Sequence, residues 1–524
     1  MTQTGLFSEE DLRQITDQGL TPEKVLADIE RCKKGFPRVK LHRPCTVGDG
    51  ITVLPSTELD RLVELHTQAA RTGRMTKFVP ASGAASRMFQ LLLSLMDRTA
   101  TSDGTQSAIA EDINERDYQA FLQFIRDRKQ FAFYEDLRAA LARDGLDLEH
   151  AVTHGRHQEI LTYLLTATGL NYANLPKGLI PFHRYADHTR TPLAEHLVEA
   201  AAYAQDQDLV ARVHFTVPPE HREVMRDLIE TVRHRYEHSG CRYLVTFSVQ
   251  KPFTDTLAVD QNNAPFRDET GRLVFRPAGH GALLENLNDL RGDIVFIKNI
   301  DNLAVDRLKS ETYLYKRALA GYLSDLQNQI FHHLYALARE LIEEQLLKEM
   351  FEFAEEKLAI TPPADLARKS HAERIAFLAD KLNRPLRVCG VVKNTGEPGG
   401  GPFWVWQSDH TVSLQIVESA QVDMQAAGQR ALWESATHFN PVDLVCGVRD
   451  SRGRPFDLRR FTDPETGFIT QKSKDGQVLR SLELPGLWNG AMAHWNTAFV
   501  EVPLSTFNPV KTIFDLLREA HQGV

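Results

Sequence analysis

The sequence predicts a mixed α/β protein: a mostly parallel sheet with helices on both faces, helical insertions and a β-rich C-terminal part. Three observations predict it. Short apolar runs of strand length at Val213–Val217, Tyr243–Val249 and Ile294–Ile297 alternate with helical segments such as 220–235, the pattern of strands joined by crossovers and covered on both sides. Within about 107–170, segments such as Tyr118–Arg126 and Tyr134–Ala142 place apolar residues three and four apart, and 312–358 is long, Leu-rich and helical. From Arg387 the texture turns to β, with runs at Val388–Val392, Phe403–Trp406, Val412–Val417, Leu444–Val448 and Ala498–Val502 between turn clusters such as Gly396-Glu-Pro-Gly-Gly-Gly-Pro402.

Taken in order, Ser8 precedes Glu9-Glu-Asp11, and Thr21 precedes Pro22, so two capped helices are expected to open the chain and to pack on the main body. Lys77–Pro80 reads as a short strand, Ala81–Ser86 as a tight loop of small residues, and Met88–Met96 as the helix that follows. These textures divide the chain into a helical segment (1–70), a core (71–320) with a helical insertion (about 90–172), a second helical segment (321–385) and a β-rich end (386–524).

The 524 residues include 61 Lys and Arg against 70 Asp and Glu, a net charge of −9. No general attraction for nucleic acid or an anionic membrane surface is expected. The five cysteines lie far apart and form no C-x-x-C pair, which favours buried free thiols over disulfides or a zinc cage. An acidic start and the lack of a spanning apolar run predict a cytoplasmic protein.

Five short stretches carry chemistry. Val79-Pro-Ala-Ser-Gly-Ala-Ala-Ser-Arg-Met88 turns on small residues between strand and helix, so its N–H groups and Arg87 suit phosphate oxygens; a packed connection would look the same. Leu175-Pro-Lys-Gly178 aims Lys177 from a fixed turn, or leaves it as a solvated surface lysine. Arg276-Pro-Ala-Gly-His-Gly281 brackets His280 with glycines, as in a ligand approach or a surface hairpin. Ile294-Val-Phe-Ile-Lys-Asn-Ile-Asp-Asn302 sets Asp301 just beyond a strand, as a Mg²⁺ ligand or a helix cap. Phe507-Asn-Pro-Val-Lys-Thr512 offers Lys511 before a short helix capped by Thr512.

In this order the stretches resemble the UDP-sugar pyrophosphorylases, nucleotidyltransferases of GT-A-like fold, over about 77–515. Ser82-Gly-Ala-Ala-Ser-Arg-Met88 and Pro176-Lys-Gly178 stand where that family has its glycine-rich loop and P-K-G, Phe247-Ser-Val-Gln250 its F-x-x-Q, Pro277-Ala-Gly-His-Gly281 its P-P-G-H-G, and Asn299-Ile-Asp-Asn-Leu303 its N-I-D-N-L. Val417-Glu-Ser-Ala-Gln-Val422, Phe439-Asn440 and Phe507-Asn-Pro-Val-Lys-Thr512 are similar to L-E-x-A-Q-V, F-N-T-N-N and F-L-P-V-K-T. The whole chain also resembles an uncharacterised bacterial domain-of-unknown-function family.

The resemblance implies transfer of UMP from UTP to a sugar 1-phosphate with Mg²⁺, giving a UDP-sugar and pyrophosphate. It implies Arg87, Lys177 and Lys511 as catalytic cations, Asp301 as the metal ligand, and Gly83, Ser86, Gln250 and Gly279 on the nucleotide. His280, Glu418 and Asn440 would face the sugar phosphate. Two further classes stay open: a non-catalytic nucleotide-sugar sensor, and a transferase that consumes a UDP-sugar. Ser82 and Ala85 replace loop glycines, so a Cβ is expected where backbone would approach phosphate or take positive φ. Val442 and Asp443 replace the asparagines after Phe439-Asn440, which leaves the sugar open.

Overall fold

A computed structural model describes residues 6–99, 115–237, 240–339, 342–396, 399–474 and 477–523. The stretch 100–114 of the expected insertion, and Glu397 and Pro398 of the turn cluster, lie outside the described residues. The chain forms two compact units, each assembled from three stretches. Met1–Thr76, Gln250–Ile297 and Arg317–Val502 make the first, and Lys77–Val249, Lys298–Lys316 and Pro503–Val524 the second. These units cut across the linear segments expected from texture: of the five points where the chain passes from one to the other, two lie inside the strands Met75–Pro80 and Ile294–Lys298 and one inside the helix Lys309–Leu337.

In the second unit Lys77–Pro80, Val210–Thr216 and Arg242–Ser248 pair in parallel, in that order. Val213 and Phe215 are fully buried against Leu193 and Leu197 of helix Pro192–Tyr203 and Met225 and Ile229 of helix Arg222–Tyr236. Thr191 caps the first of these helices, with Pro at its first position. A second core joins Met88, Phe89 and Leu92 to Phe121, Phe124, Leu137 and Leu161 of the insertion helices and to Val510, Ile513 and Leu516 near the C-terminus. The C-terminal segment is thereby fixed against the loop and helix that follow Pro80.

In the first unit the strands run Thr46–Val47, Gly50–Thr52, Asn496–Glu501, Leu386–Lys393, His438–Gly447 and Ile294–Ile297. The first four pair in parallel and His438–Gly447 runs antiparallel to Leu386–Lys393. A separate antiparallel sheet joins Leu41–Pro44, Gly400–Trp406 and Val412–Glu418. The N-terminal helices Glu9–Asp17 and Pro22–Lys34 are capped by Ser8 and Thr21 as expected, and their Ile15, Val25 and Ile29 pack on Leu257, Leu273 and Leu482. The mixed, mostly parallel α/β class read from the sequence is the class observed. All five cysteines are buried and free. Among the described residues, no helix is long and apolar enough to cross a membrane.

Candidate functional site

Four of the five stretches interlock in the second unit. The strand Met75–Pro80 ends in the loop 81–84, then a single turn, Ala85–Arg87, before helix Gln90–Thr99. No side chain caps that turn, and Gly83, Ser86 and Arg87 are exposed; the Ala85 N–H is taken by a carbonyl, so the N–H groups of Ser86 and Arg87 are the ones a ligand could meet. No residue of the loop has positive φ, and Ala85 points its methyl into the core with no exposure. The replaced glycines therefore introduce no left-handed strain, since Ser82 and Ala85 both keep a φ that any residue accepts.

Hydrogen bonds fasten this loop to the other stretches. Ala85 N–H donates to the Leu175 carbonyl at 3.1 Å and Lys177 N–H to the Gly83 carbonyl at 3.4 Å, while Ile513 N–H donates to the Met88 carbonyl at 3.1 Å. Lys177 Nζ reaches across to Asp301 Oδ2 at 2.6 Å and to the Val510 carbonyl at 2.6 Å. Val510 N–H in turn donates to the Asp301 carbonyl at 3.0 Å, and Asn508 N–H to Asn302 Oδ1 at 2.8 Å. Asp301 caps no helix. Thr512 does cap, sharing a capping box with Asp515, although the segment it opens is a 3₁₀ turn rather than an α-helix. Gly83, Ser86, Arg87, Lys177, Asp301 and Lys511 thus belong to one knot of backbone.

Behind this knot the second unit carries buried charge. Lys77 and Lys298, at the ends of runs read as plain apolar strands, both bond Glu199, at 2.8 and 2.7 Å. All three are within 1% of full burial. Burial pushes the Glu199 carboxyl up, but Lys298 and Lys77 outweigh it and hold it well below its ordinary value.

Asp301 fits one mode of magnesium binding. Among the described residues no group of three or more metal-type side chains exists, so an all-protein cage is absent there. Mg²⁺ is commonly held by one carboxylate together with substrate phosphates and water, and Asp301 is one carboxylate, still partly exposed, bordered by cations that attract phosphate.

The remaining candidates lie in the first unit. His280 stacks on Trp488, with ring centroids 4.0 Å apart and planes 9° apart. Its Nδ1 accepts from Leu487 N–H at 2.9 Å, which leaves Nε2 carrying the proton, 3.6 Å from Glu418 Oε1. Burial pushes the Glu418 carboxyl up, yet bonds from His280 and Asn489 prevail and lower it. Gly279 takes φ +74°, a conformation that side chains rarely adopt, and a Cβ there would also displace the tip of Glu483, whose Oε2 lies 2.5 Å from its place. Gln250 bonds Asp255 at 3.0 Å. Asn440 stands apart from a ligand: it is 2% exposed, and its amide is taken at both ends by backbone, donating to the Gly390 carbonyl and accepting from Val442 N–H. It holds the irregular register between Gly390 and Val392, where Val442 is forced to φ +57°.

A family model described as Domain of unknown function (DUF4301) matches residues 8–522. The chain belongs to that family. No curated protein matches it. Among solved structures, 99% of the DUF4301 chain aligns with 80% of the uridine diphosphate N-acetylglucosamine pyrophosphorylase of Trypanosoma brucei, at 12% identity and a TM-score of 0.46. It also aligns over 97% of its length with 77% of the UDP-glucose pyrophosphorylase of Leishmania major, at 12% identity and a TM-score of 0.42.

In this DUF4301 chain Trp488, Asn489 and Glu483 surround Gly279, His280 and Glu418, and no motif marked them. For Trp488 and Asn489 a signal was present as the turn-rich stretch Pro485-Gly-Leu-Trp-Asn-Gly490, which places backbone close to the His280 ring.

Proposed function

We propose that this protein is a cytoplasmic nucleotidyltransferase that transfers UMP from UTP to a sugar 1-phosphate, with Mg²⁺, releasing pyrophosphate. The observation that supports the reading is the Lys177–Asp301–Val510 junction. It gathers one carboxylate, one buried-stem lysine and the residue before Lys511, and the Lys177 backbone is bonded to the loop that leads into the 85–87 turn. A sugar 1-phosphate is already anionic, so attack on the α-phosphorus of UTP needs no general base. The work left to the protein is positioning and charge neutralisation.

In this reading Arg87, Lys177 and Lys511 hold triphosphate and pyrophosphate oxygens, while Gly83 and Ser86 offer backbone and hydroxyl contacts. Asp301 would hold Mg²⁺, which when bound supplies further neutralisation of phosphate charge. Within the first unit, Glu418 and the Nε2–H of His280, 3.6 Å apart, suit the hydroxyls and phosphate of a sugar, and Gln250 and Gly279 suit a base. The five buried free thiols support a reducing compartment. The test is to incubate the full chain with Mg²⁺, UTP and a panel of sugar 1-phosphates and measure pyrophosphate. Release with at least one sugar is expected. Nucleotide binding without release from any of them would favour a sensor and reject the reading.

A further inference from the structure

The first unit holds a cavity of about 790 Å³ that the proposed reaction does not use. It opens at the amino-terminal ends of two parallel strands, Leu386–Lys393 and Asn496–Glu501, where Arg384 and Asn496 line it. Val412 and Leu414 also line it, whereas Glu418 ends the same strand. At ~3.3 Å per residue, roughly 13 to 20 Å of extended chain separates the cavity from the His280–Glu418 pair.

The charges around this cavity are unevenly committed. Its four aspartates are engaged: Asp380 by Arg384 at 2.5 Å, Asp450 by Arg454 at 2.7 Å, Asp457 by Arg459 at 2.7 Å, and Asp409 by the N–H and hydroxyl of Thr411 at 3.0 and 2.6 Å. Lys381 and Arg460 also line the cavity; neither comes within ion-pair distance of a carboxylate among the described residues, although Lys381 lies in the field of Asp409 and Asp380 and Arg460 in that of Asp457. Directly behind the wall lies Arg387, fully buried. Its Nε donates to Thr497 Oγ1 at 2.9 Å and its Nη1 to the Trp488 carbonyl at 2.6 Å, while Nη2 has no partner among the described residues.

No carboxylate meets that guanidinium, and Thr497, which receives its Nε bond, is itself part of the cavity wall. A buried charge left without a counter-charge is costly, and its field falls on whatever stands beyond Thr497. On the same stretch the buried Nε1–H of Trp495 and Nδ2–H of Asn496 also lack acceptors. The four aspartates of the lining are matched by four cations, Lys381, Arg384, Arg454 and Arg460; the buried Arg387 guanidinium and the N–H donors stand beyond that balance.

We propose that this cavity is a second small-molecule site, separate from the nucleotidyl-transfer residues, and that it takes a polyanion of up to nucleotide size, a phosphorylated or carboxylated metabolite. The volume falls within the range of sites for such ligands. Lys381 and Arg460 contact the anionic groups, and Arg387 biases the cavity from behind its wall.

Calorimetric titration of the full chain in EDTA tests this, with inorganic pyrophosphate and citrate as probes for the two anion classes. A Lys177→Met background silences the phosphate-binding knot of the second unit. That variant is expected to bind one of the probes saturably at a single site. Adding Lys381→Met and Arg460→Met is expected to weaken that binding by at least about tenfold, whereas Lys381→Arg with Arg460→Lys retains it. Unchanged melting temperatures confirm that these variants remain folded. Absence of binding in the Lys177→Met background, or equal binding after both cations are removed, overturns the proposal.

Discussion

Lys177 Nζ sits 2.6 Å from Asp301 Oδ2 although the two residues are 124 positions apart in the chain. Each is partly exposed, 12% for the lysine side chain and 20% for the aspartate, so the pair borders solvent and can be opened by an incoming phosphate. Under the proposed reaction both Asp301→Asn and Lys177→Met remove charge that is needed only when phosphate oxygens arrive. Each is expected to lower pyrophosphate release by at least about 100-fold while leaving far-UV circular dichroism unchanged. Full activity in Asp301→Asn would reject the metal assignment, and full activity in Lys177→Met the phosphate assignment.

Two motif glycines should behave oppositely. Gly279 has φ +74° and its missing Cβ is where Glu483 Oε2 sits, whereas Gly83 has no positive φ and a Cβ there would meet nothing within 4 Å. Gly279→Ala is expected to cost ~1–3 kcal/mol through backbone strain and displacement of Glu483. Gly83→Ala is expected to stay within ~0.5 kcal/mol. Urea unfolding of the two variants checks both, and a destabilised Gly83→Ala would show that the loop needs a conformation only glycine reaches.

These contrasts indicate what the sequence could convey. Residues 83–88, 176–178, 299–303 and 507–511 were legible as chemistry because each is a short, locally defined turn, and their order suggested that they meet. The partners of His280 were not legible: Trp488 and Leu487 reach it across more than two hundred positions, and no local pattern marks that distance. Lys77 and Lys298 looked like ordinary ends of apolar strands, since their counter-charge, Glu199, lies on a helix whose own pattern reveals nothing of them. Asn440 looked like a ligand-facing amide because a motif records residue type and not the direction of a side chain at a β-bulge. The two interleaved units were hidden for a similar reason, as three of the five boundaries fall inside a strand or a helix rather than in a linker.

Close helix packing gives a third expectation. Gly321, in the helix Lys309–Leu337, faces the backbone of Leu62 in the helix Ser56–Arg71, and a Cβ at Gly321 would collide with the Leu62 carbonyl group. Backbone cannot yield as a flexible side-chain tip can, so Gly321→Ala is expected to destabilise the fold by ~1–3 kcal/mol or more. A melting temperature equal to that of the unaltered chain would show that the two helices separate freely.

The buried Lys77–Glu199–Lys298 cluster makes stability depend on pH with a definite sign. Burial pushes the Lys77 ammonium down to about 7 from its ordinary 10.5, against the upward pull of Glu199. Between those two values the unfolded chain keeps a proton that the folded chain has released, so the unfolded state binds more protons and stability rises with pH. The gain is at most ~1.4 kcal/mol per pH unit. Below about pH 7 Lys77 is charged in both states and contributes no slope. Lys77→Met removes this contribution, and because Lys298 still bonds Glu199 at 2.7 Å the carboxylate is not left alone. Urea unfolding at several pH values between ~7.5 and ~9.5 should show the original chain gaining stability relative to Lys77→Met as pH increases. Parallel curves for the two proteins would mean that Lys77 keeps its proton in the fold and that the cluster is held as a charged triad throughout.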